Sequence, residues 1–197
     1  CIRDSYEKAS HTIFVCDENR RLTERQLALK IPNTSVIIPP LFTDQASPLS
    51  WPERQDRDPW KLACVARLEP RWKGQDALLE ALSSPQWKER NYSLSLFGNG
   101  AEKEYIGNLI KLYGLSDKVK FAGFAEPSEI WREHHMQILA TRGEGGPMVI
   151  TEGMICGRAA IATRCGFIDE FISDQKTGFL AESATKRSIE AQLERAW

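Results

Sequence analysis

Short apolar runs alternate with longer amphipathic stretches along most of the chain. The short runs predict buried strands over 11–16 (HTIFVC), 35–39 (SVIIP), 61–68 (KLACVARL), 92–98 (YSLSLFG), 118–124 (KVKFAGF), 137–141 (QILAT), 159–163 (AAIAT) and, briefly, 178–180 (GFL). The stretches between them predict helices over 17–29, 75–84, 101–114, 127–134, 147–156, 167–173 and 185–196. Strand after helix after strand, with short connections, is the pattern of a parallel sheet covered on both faces. Runs such as SLSLF fit strands buried on both sides. The expected class is α/β: a doubly wound parallel sheet of about six strands with helices on both faces.

One segment breaks this rhythm. Residues 39–60 (PPLFTDQASPLSWPERQDRDPW) hold five of the ten prolines and little periodicity. Proline removes a backbone donor and fixes φ, so the segment reads as a linker. The expected organisation is a remnant of a preceding domain over 1–40, a linker over 41–59 and the sheet domain over 60–197. The opening CIRDSYEKAS has neither an apolar signal core nor an initiator Met, so the expectation is a piece of something longer.

Composition narrows the function classes. With 197 residues, 42% hydrophobic and 27% charged, the chain is ordinary for a globular protein. A net charge of −1 argues against nucleic acid or an acidic membrane as the main partner. No apolar run approaches the ~20 residues of a membrane span. Five cysteines, none in a C-x-x-C, read as reduced thiols, and the three histidines lack zinc-ligand spacing, so no metal is expected.

The stretch TRGEGGPMVITEG (141–153) carries the most chemistry. It follows a strand and leads into a helix. Gly145 and Gly146 let a backbone approach a ligand, Pro147 suits a first helical turn, and the free N–H groups of a helix start favour an anion. Such a start repels carboxylates unless they accept hydrogen bonds from hydroxyls. Glu144 and Glu152 flank it, so a phosphate-bearing ligand with a hydroxyl-rich group on each side would use both. Each glutamate alone reads as a solvated surface residue.

Two further turns reach the same sheet edge. In ARLEPRWKGQDALLEAL (66–82), Arg67 ends a strand and Lys73 lies in the loop before a helix. A bidentate Arg and a point-charge Lys suit a diphosphate; Arg71 is a rival that reads as solvated. In FGNGAEKE (97–104), the turn Gly98–Asn99–Gly100 lacks the third glycine of a dinucleotide site. It reads equally as a tight turn or as a close approach to sugar or phosphate. The D-x-D of Asp56 and Asp58 lies in the polar linker, away from a strand end. His134 and His135 read as cations at a helix carboxyl terminus, and the six Trp as scattered.

Together these residues resemble a family. ARLEPRWKGQDALLEAL is similar to the G-R-L-x-x-x-K-G-x-D-x-L-x-x-A segment of retaining glycosyltransferases with the two-Rossmann GT-B fold, family four (glycosyl transferases group 1). EGGPMVITEGMICGRAAIATRCGFIDEFISDQKTGFL resembles that family's E-x7-E segment and its continuation. The likeness runs from about residue 60 to 181, and HTIFVC…SVIIPP resembles the end of the acceptor domain. The resemblance implies that Arg67 and Lys73 bind the diphosphate and stabilise the leaving nucleotide, the work a metal does elsewhere. It implies that Glu144 contacts the transferred sugar and Glu152 the ribose. Backbone at Gly145, Gly146, Pro147 and Met148 would hold sugar and phosphates. Gly123 and Phe124 would flank the base, with Gly98, Asn99 and Gly100 at the donor. No cofactor is implied. The implied partners are a UDP-, GDP- or ADP-linked sugar and, through the missing domain, a sugar or lipid-linked acceptor, in a cytoplasmic or inner-membrane-peripheral setting. The chain departs from the family at Gly153 (usually Ala), Ala159 (Pro), Cys165 (Gly) and Gln175 (Gly). A nucleotide-sugar 2-epimerase of the same fold and a non-catalytic nucleotide-sugar-binding module are the alternatives.

Overall fold

The computed structural model describes residues 2–38 and 47–197. Cys1 and residues 39–46, which include the start of the expected linker, lie outside that description. Before the linker, α1 (Ile2–Lys8), β1 (Thr12–Phe14), α2 (Asp17–Leu27) and β2 (Thr34–Val36) form a strand–helix–strand unit with β1 and β2 parallel. Helix α2 starts on Cys16, whose sulfur accepts from the Asn19 amide.

After it come β3 (Trp60–Val65), α3 (Pro70–Lys73), α4 (Gln75–Leu82), α5 (Pro85–Glu89), β4 (Tyr92–Phe97), α6 (Lys103–Leu112), β5 (Val119–Gly123), α7 (Pro127–Glu133) and β6 (Met136–Leu139). The chain continues through α8 (Met148–Ile155), β7 (Ala159–Thr163), α9 (Ile168–Phe171), β8 (Gly178–Ala181) and α10 (Lys186–Ala196). The six strands from β3 onward form one parallel sheet in the order β5-β4-β3-β6-β7-β8. The strand order reverses between β3 and β6. In such a sheet the crevice at the carboxyl ends of those two strands is where ligands bind.

Both faces are covered. Leu78, Leu79 and Leu82 of α4, Ile106 and Ile110 of α6, and Ile189 and Leu193 of α10 pack one face against Leu62, Leu94 and Leu96. Helices α7, α8 and α9 cover the other, with Ile130, Trp131, Ile150 and Ile168 buried. Ser95 in the middle of β4 is buried, and its hydroxyl is held by His134 Nε2 at 3.0 Å.

Several expectations change in detail. Helices α1, α3 and α5 are additional, and the last two are single turns begun by Pro70 and Pro85, too short to show a period. Lys73 therefore ends a helix rather than lying in a loop. Helices α8 and α9 start at Met148 and Ile168, each one residue later than expected, so Pro147 caps α8 instead of opening it. His134 and His135 are not cations at a helix end. Both are buried, and desolvation pushes their pKa down. His134 Nδ1 donates to the Ile130 carbonyl, and His135 Nδ1 accepts from the Lys61 amide. Nor are all the Trp scattered. Trp51, Trp60, Trp87 and Trp197 line a cavity of about 200 Å³ at the amino ends of β3 and β6, the edge opposite the crevice.

Candidate functional site

The crevice is built by two loops that grip each other. Chain leaving β3 runs through Arg67 into α3, and Gly74 then turns it into α4 with φ of +66°. A Cβ at Gly74 would lie 1.8 Å from the Ala140 carbonyl oxygen, so only glycine lets the α3–α4 corner seat on the end of β6. From the other side, the Arg142 amide donates to the Trp72 carbonyl at 2.7 Å. Its guanidinium reaches Pro70 O at 2.6 Å and forks onto Asp76 at 2.7 and 3.0 Å. Thr141 Oγ1 lies 3.0 Å from Trp72 O, and Thr163 Oγ1 donates to Thr141 O. The Arg142–Asp76 clamp has no signature in the sequence, because the two residues are on different elements and belong to no spaced motif.

This grip fixes Lys73 opposite Glu144. Lys73 Nζ lies 2.6 Å from Glu144 Oε1, and their side chains are only 18% and 10% exposed. Arg67 sits at the mouth instead: it is 72% exposed and pairs with Glu69 at 3.2 Å. Its carbonyl is held by Gln75 Nε2 at 2.7 Å, so the backbone is anchored while the guanidinium is open to solvent.

The backbone of the 144–148 loop is seated from two sides. Gly166, with φ of +63°, packs so closely on Glu144 that a Cβ there would lie 2.4 Å from the Glu144 carbonyl oxygen. Cys165, the preceding residue, is not in the left-handed region, so its backbone does not require glycine. From the amino-terminal unit, Asn19 Nδ2 donates to Gly145 O at 3.3 Å. Asp17, Glu18 and Arg21 face Arg164, Cys165, Gly166, Asp169 and Glu170 across a polar cavity of about 600 Å³. Sequence reasoning missed this cavity, since α2 reads only as a polar helix.

Glu152 lies one turn into α8, half-buried, and burial raises its pKa. No described residue donates to its carboxylate or pairs with it. A folded-state pKa above the unfolded one stabilises only below the unfolded pKa and is lost as pH rises. At neutral pH the ionised Glu152 therefore destabilises the chain. Glu152→Gln is expected to raise the melting temperature at pH 7, and the gain is expected to vanish below about pH 4, where the carboxyl is neutral in both states. Thermal melts across that range check it; a lower melting temperature at pH 7 would contradict it.

The other singled-out residues divide. Gly98 (φ of +118°) and Gly100 have a packing reason for being glycine: a Cβ at either would lie 2.2 and 2.4 Å from the carbonyl oxygens of Ala66 and Leu68. Asn99 O accepts from the Leu68 amide, which braces the Arg67 loop. Gly123 has φ of +73°, and Phe124 stands 79% exposed after edge strand β5, two strands from β3 and so roughly 10 Å from the crevice. Asp58 of the D-x-D accepts from the Gln55 amide at 2.9 Å and so caps a turn. Gly153 leaves room for buried Gln137, whose Nε2 would lie 2.3 Å from a Cβ there and which donates to Ile150 O at 3.0 Å. Gln175 takes a left-handed backbone, φ of +64°, at the position where the resemblance implies glycine.

Among the described residues no helix is long and apolar enough to cross a membrane, and Cys16, Cys64, Cys156 and Cys165 are free thiols. The chain is 30% identical over 138 residues to the GDP-mannose-dependent alpha-(1-6)-phosphatidylinositol monomannoside mannosyltransferase of Mycolicibacterium smegmatis, covering 65% of this chain and 36% of that protein. The chain spans about a third of the length of the curated relatives it matches. In fold it is similar to S. aureus TarM, solved with fondaparinux, alpha-GlcNAc-glycerol and UDP (TM-score 0.81, 20% identity, 98% of this chain and 38% of that one). It is also similar to the sucrose-phosphate synthase of Thermosynechococcus elongatus (TM-score 0.81, 22% identity, 98% and 50%). At such identities the likeness is one of fold alone. The model describing glycosyl transferases group 1 matches residues 48–197, and the chain belongs to that family.

Proposed function

We propose that residues 60–197 are the donor half of a retaining glycosyltransferase: they bind a nucleotide-diphosphate sugar whose sugar is passed, with its anomeric configuration kept and without a metal, to an acceptor held by a preceding domain. Residues 1–40 are the last part of that domain and 41–59 the linker. The observation that carries the reading is the meeting of Lys73 and Glu144, 71 residues apart in sequence, in the crevice where the strand order reverses. A cation for phosphate and a carboxylate for sugar hydroxyls stand side by side, with Gly145 and Gly146 beside them.

Each residue then has a role. Arg67 and Lys73 hold the diphosphate and stabilise charge developing on the leaving nucleotide. Glu144 accepts hydrogen bonds from the transferred sugar. Gly145, Gly146, Pro147 and Met148 supply backbone to sugar and phosphates. Glu152, half-buried and without a partner among the described residues, accepts from the ribose diol, so Glu152→Gln weakens nucleotide binding even as it stabilises the chain. Gly98, Asn99 and Gly100 shape the donor edge, and Phe124 with Gly123 flanks the base. The mannosyltransferase relative uses a GDP-linked sugar and TarM was solved with UDP, which supports a nucleotide sugar as partner. The epimerase alternative finds no support in these relatives. The free thiols fit a cytoplasmic setting, with attachment to the inner face of the membrane left to the acceptor-side domain.

Calorimetry with UDP, GDP, ADP and their sugars tests the reading. Arg67→Ala and Lys73→Ala are each expected to weaken the best nucleotide by about 1.5–3 kcal/mol, the range for charge-assisted hydrogen bonds. Chelator is expected to change nothing. Unchanged affinity in either variant, or a loss in EDTA restored by manganese or magnesium, overturns it.

A further inference from the structure

We propose that the Lys73–Glu144 pair is a charge lock opened by the donor's own diphosphate: each group occupies the other until phosphate takes Lys73 and frees Glu144 for the sugar. The inference rests on the functional reading above and adds an order of events to it.

Three observations support a lock. The two groups are bonded at 2.6 Å and largely shielded from water, so neither is available to a ligand as it stands. Their backbones are fixed from outside the pair. Lys73 is held by the Arg142 and Thr141 contacts to Pro70 and Trp72 and by Gly74 seated on Ala140. Glu144 is held by Gly166 packed on its carbonyl. The pair therefore opens by side-chain rotation and needs no loop movement. Arg67, by contrast, is mostly exposed and loosely paired, free to make the first contact with an incoming anion.

The electrostatics decide what can open it. Separating a buried pair leaves two uncompensated charges, which is strongly unfavourable unless another charge replaces the one lost. A nucleoside or a free sugar offers no such charge. A diphosphate does, and Lys73 can exchange a carboxylate for phosphate oxygens at little net electrostatic penalty. Glu144 is then released where hydroxyl groups can satisfy it. The carboxylate that reads the sugar is thus withheld until the nucleotide is seated, so recognition of the sugar depends on the phosphates.

The lock predicts an unusual sign. Removing the Glu144 charge should leave Lys73 waiting for an anion, so Glu144→Gln is expected to bind UDP or GDP about tenfold tighter than the parent chain. Uridine and guanosine are expected to bind both chains alike. Lys73→Gln should lose affinity for the diphosphates, and the double variant should show no gain. Titration calorimetry reads all four proteins. Equal or weaker UDP and GDP binding in Glu144→Gln, with the Lys73→Gln loss intact, overturns the lock and leaves the diphosphate reading standing. A gain that extends equally to the nucleosides also overturns it. No loss in Lys73→Gln overturns the functional reading and the lock together. Should melts show Glu144→Gln unfolded, Glu144→Asp serves in its place: the shorter carboxylate loosens the pair, a gain of about threefold is expected, and no gain overturns the lock.

Discussion

Replacing Arg158 with Met is expected to remove about 3–5 kcal/mol from the stability of the chain through the buried carbonyls it leaves unpaired, a large share of what a domain of this kind has. Arg158 is 2% exposed, and no described carboxylate pairs with it. Its Nε donates to Trp131 O at 2.8 Å and His134 O at 2.9 Å. Its Nη1 donates to Cys156 O at 2.8 Å and Leu49 O at 3.4 Å, and its Nη2 to Ser50 O at 2.7 Å. The guanidinium also lies over the Trp51 ring. Burial pushes its pKa down, yet a guanidinium stays charged at any ordinary pH. One side chain thus ties the end of α7, the end of α8 and the incoming linker to each other. Met fills similar volume but donates nothing, so the carbonyls that Arg158 held, three of them on the buried residues Trp131, His134 and Cys156, lose a donor. The Cys156 carbonyl would keep the Leu49 amide as a partner; for the other four no second donor is seen among the described residues. Arg158→Lys should recover only part of the loss, since an ammonium cannot fork to so many carbonyls. Urea melts followed by circular dichroism measure the difference. A loss below about 1 kcal/mol in Arg158→Met would mean that water or relaxation replaces the missing donors.

Arg158 also marks where reading the sequence stops. The hydrophobic pattern was enough to place all six strands of the main sheet, because KLACVARL, YSLSLFG and AAIAT are apolar over the length of a buried strand. The crevice residues were legible for a different reason: Arg67, Lys73, Glu144 and Glu152 sit at fixed spacings near glycines that mark strand-to-helix turns. What was lost depends on distant partners. Arg158 reads as one more cation until the linker folds back on it. His134 and His135 read as charged until β3 and β4 bury them. Trp51, Trp60, Trp87 and Trp197 are far apart in sequence and meet only because α10 runs back to the amino edge of the sheet. Gly153 reads as a departure until Gln137 is seen filling the space. The single turns α3 and α5 carry a proline start and no period, so pattern alone cannot separate them from loop. The Lys73–Glu144 bond belongs to this class too: both residues were visible, but their union is a fact of topology.

The 197-residue chain by itself is expected to bind a nucleotide sugar and to transfer it to no acceptor at an ordinary rate. The expectation follows from what stands on each side of the crevice. On the side proposed for the donor stand a six-stranded sheet, two interlocked loops and both glutamates. The facing side is one turn of α2, which supplies Asn19 to Gly145 O and lines one wall of the polar cavity with Asp17, Glu18 and Arg21. Behind it stand two three-residue strands and α1, which buries no residue. That is too little surface to orient an acceptor hydroxyl against an anomeric carbon. Correct positioning is worth ~7–11 kcal/mol in well-oriented reactions, so its absence alone removes several orders of magnitude. Water in an open crevice screens Arg67, already mostly exposed, and weakens what the cations give the leaving group. Slow donor hydrolysis is then the expected background. Labelled UDP- and GDP-sugars, incubated with the purified chain and a panel of sugar and lipid-linked acceptors, provide the measurement. Transfer at about 1 per second or faster would show that α2 and the polar cavity already form a working acceptor site, and the division of labour proposed between residues 1–40 and 60–197 would have to be given up.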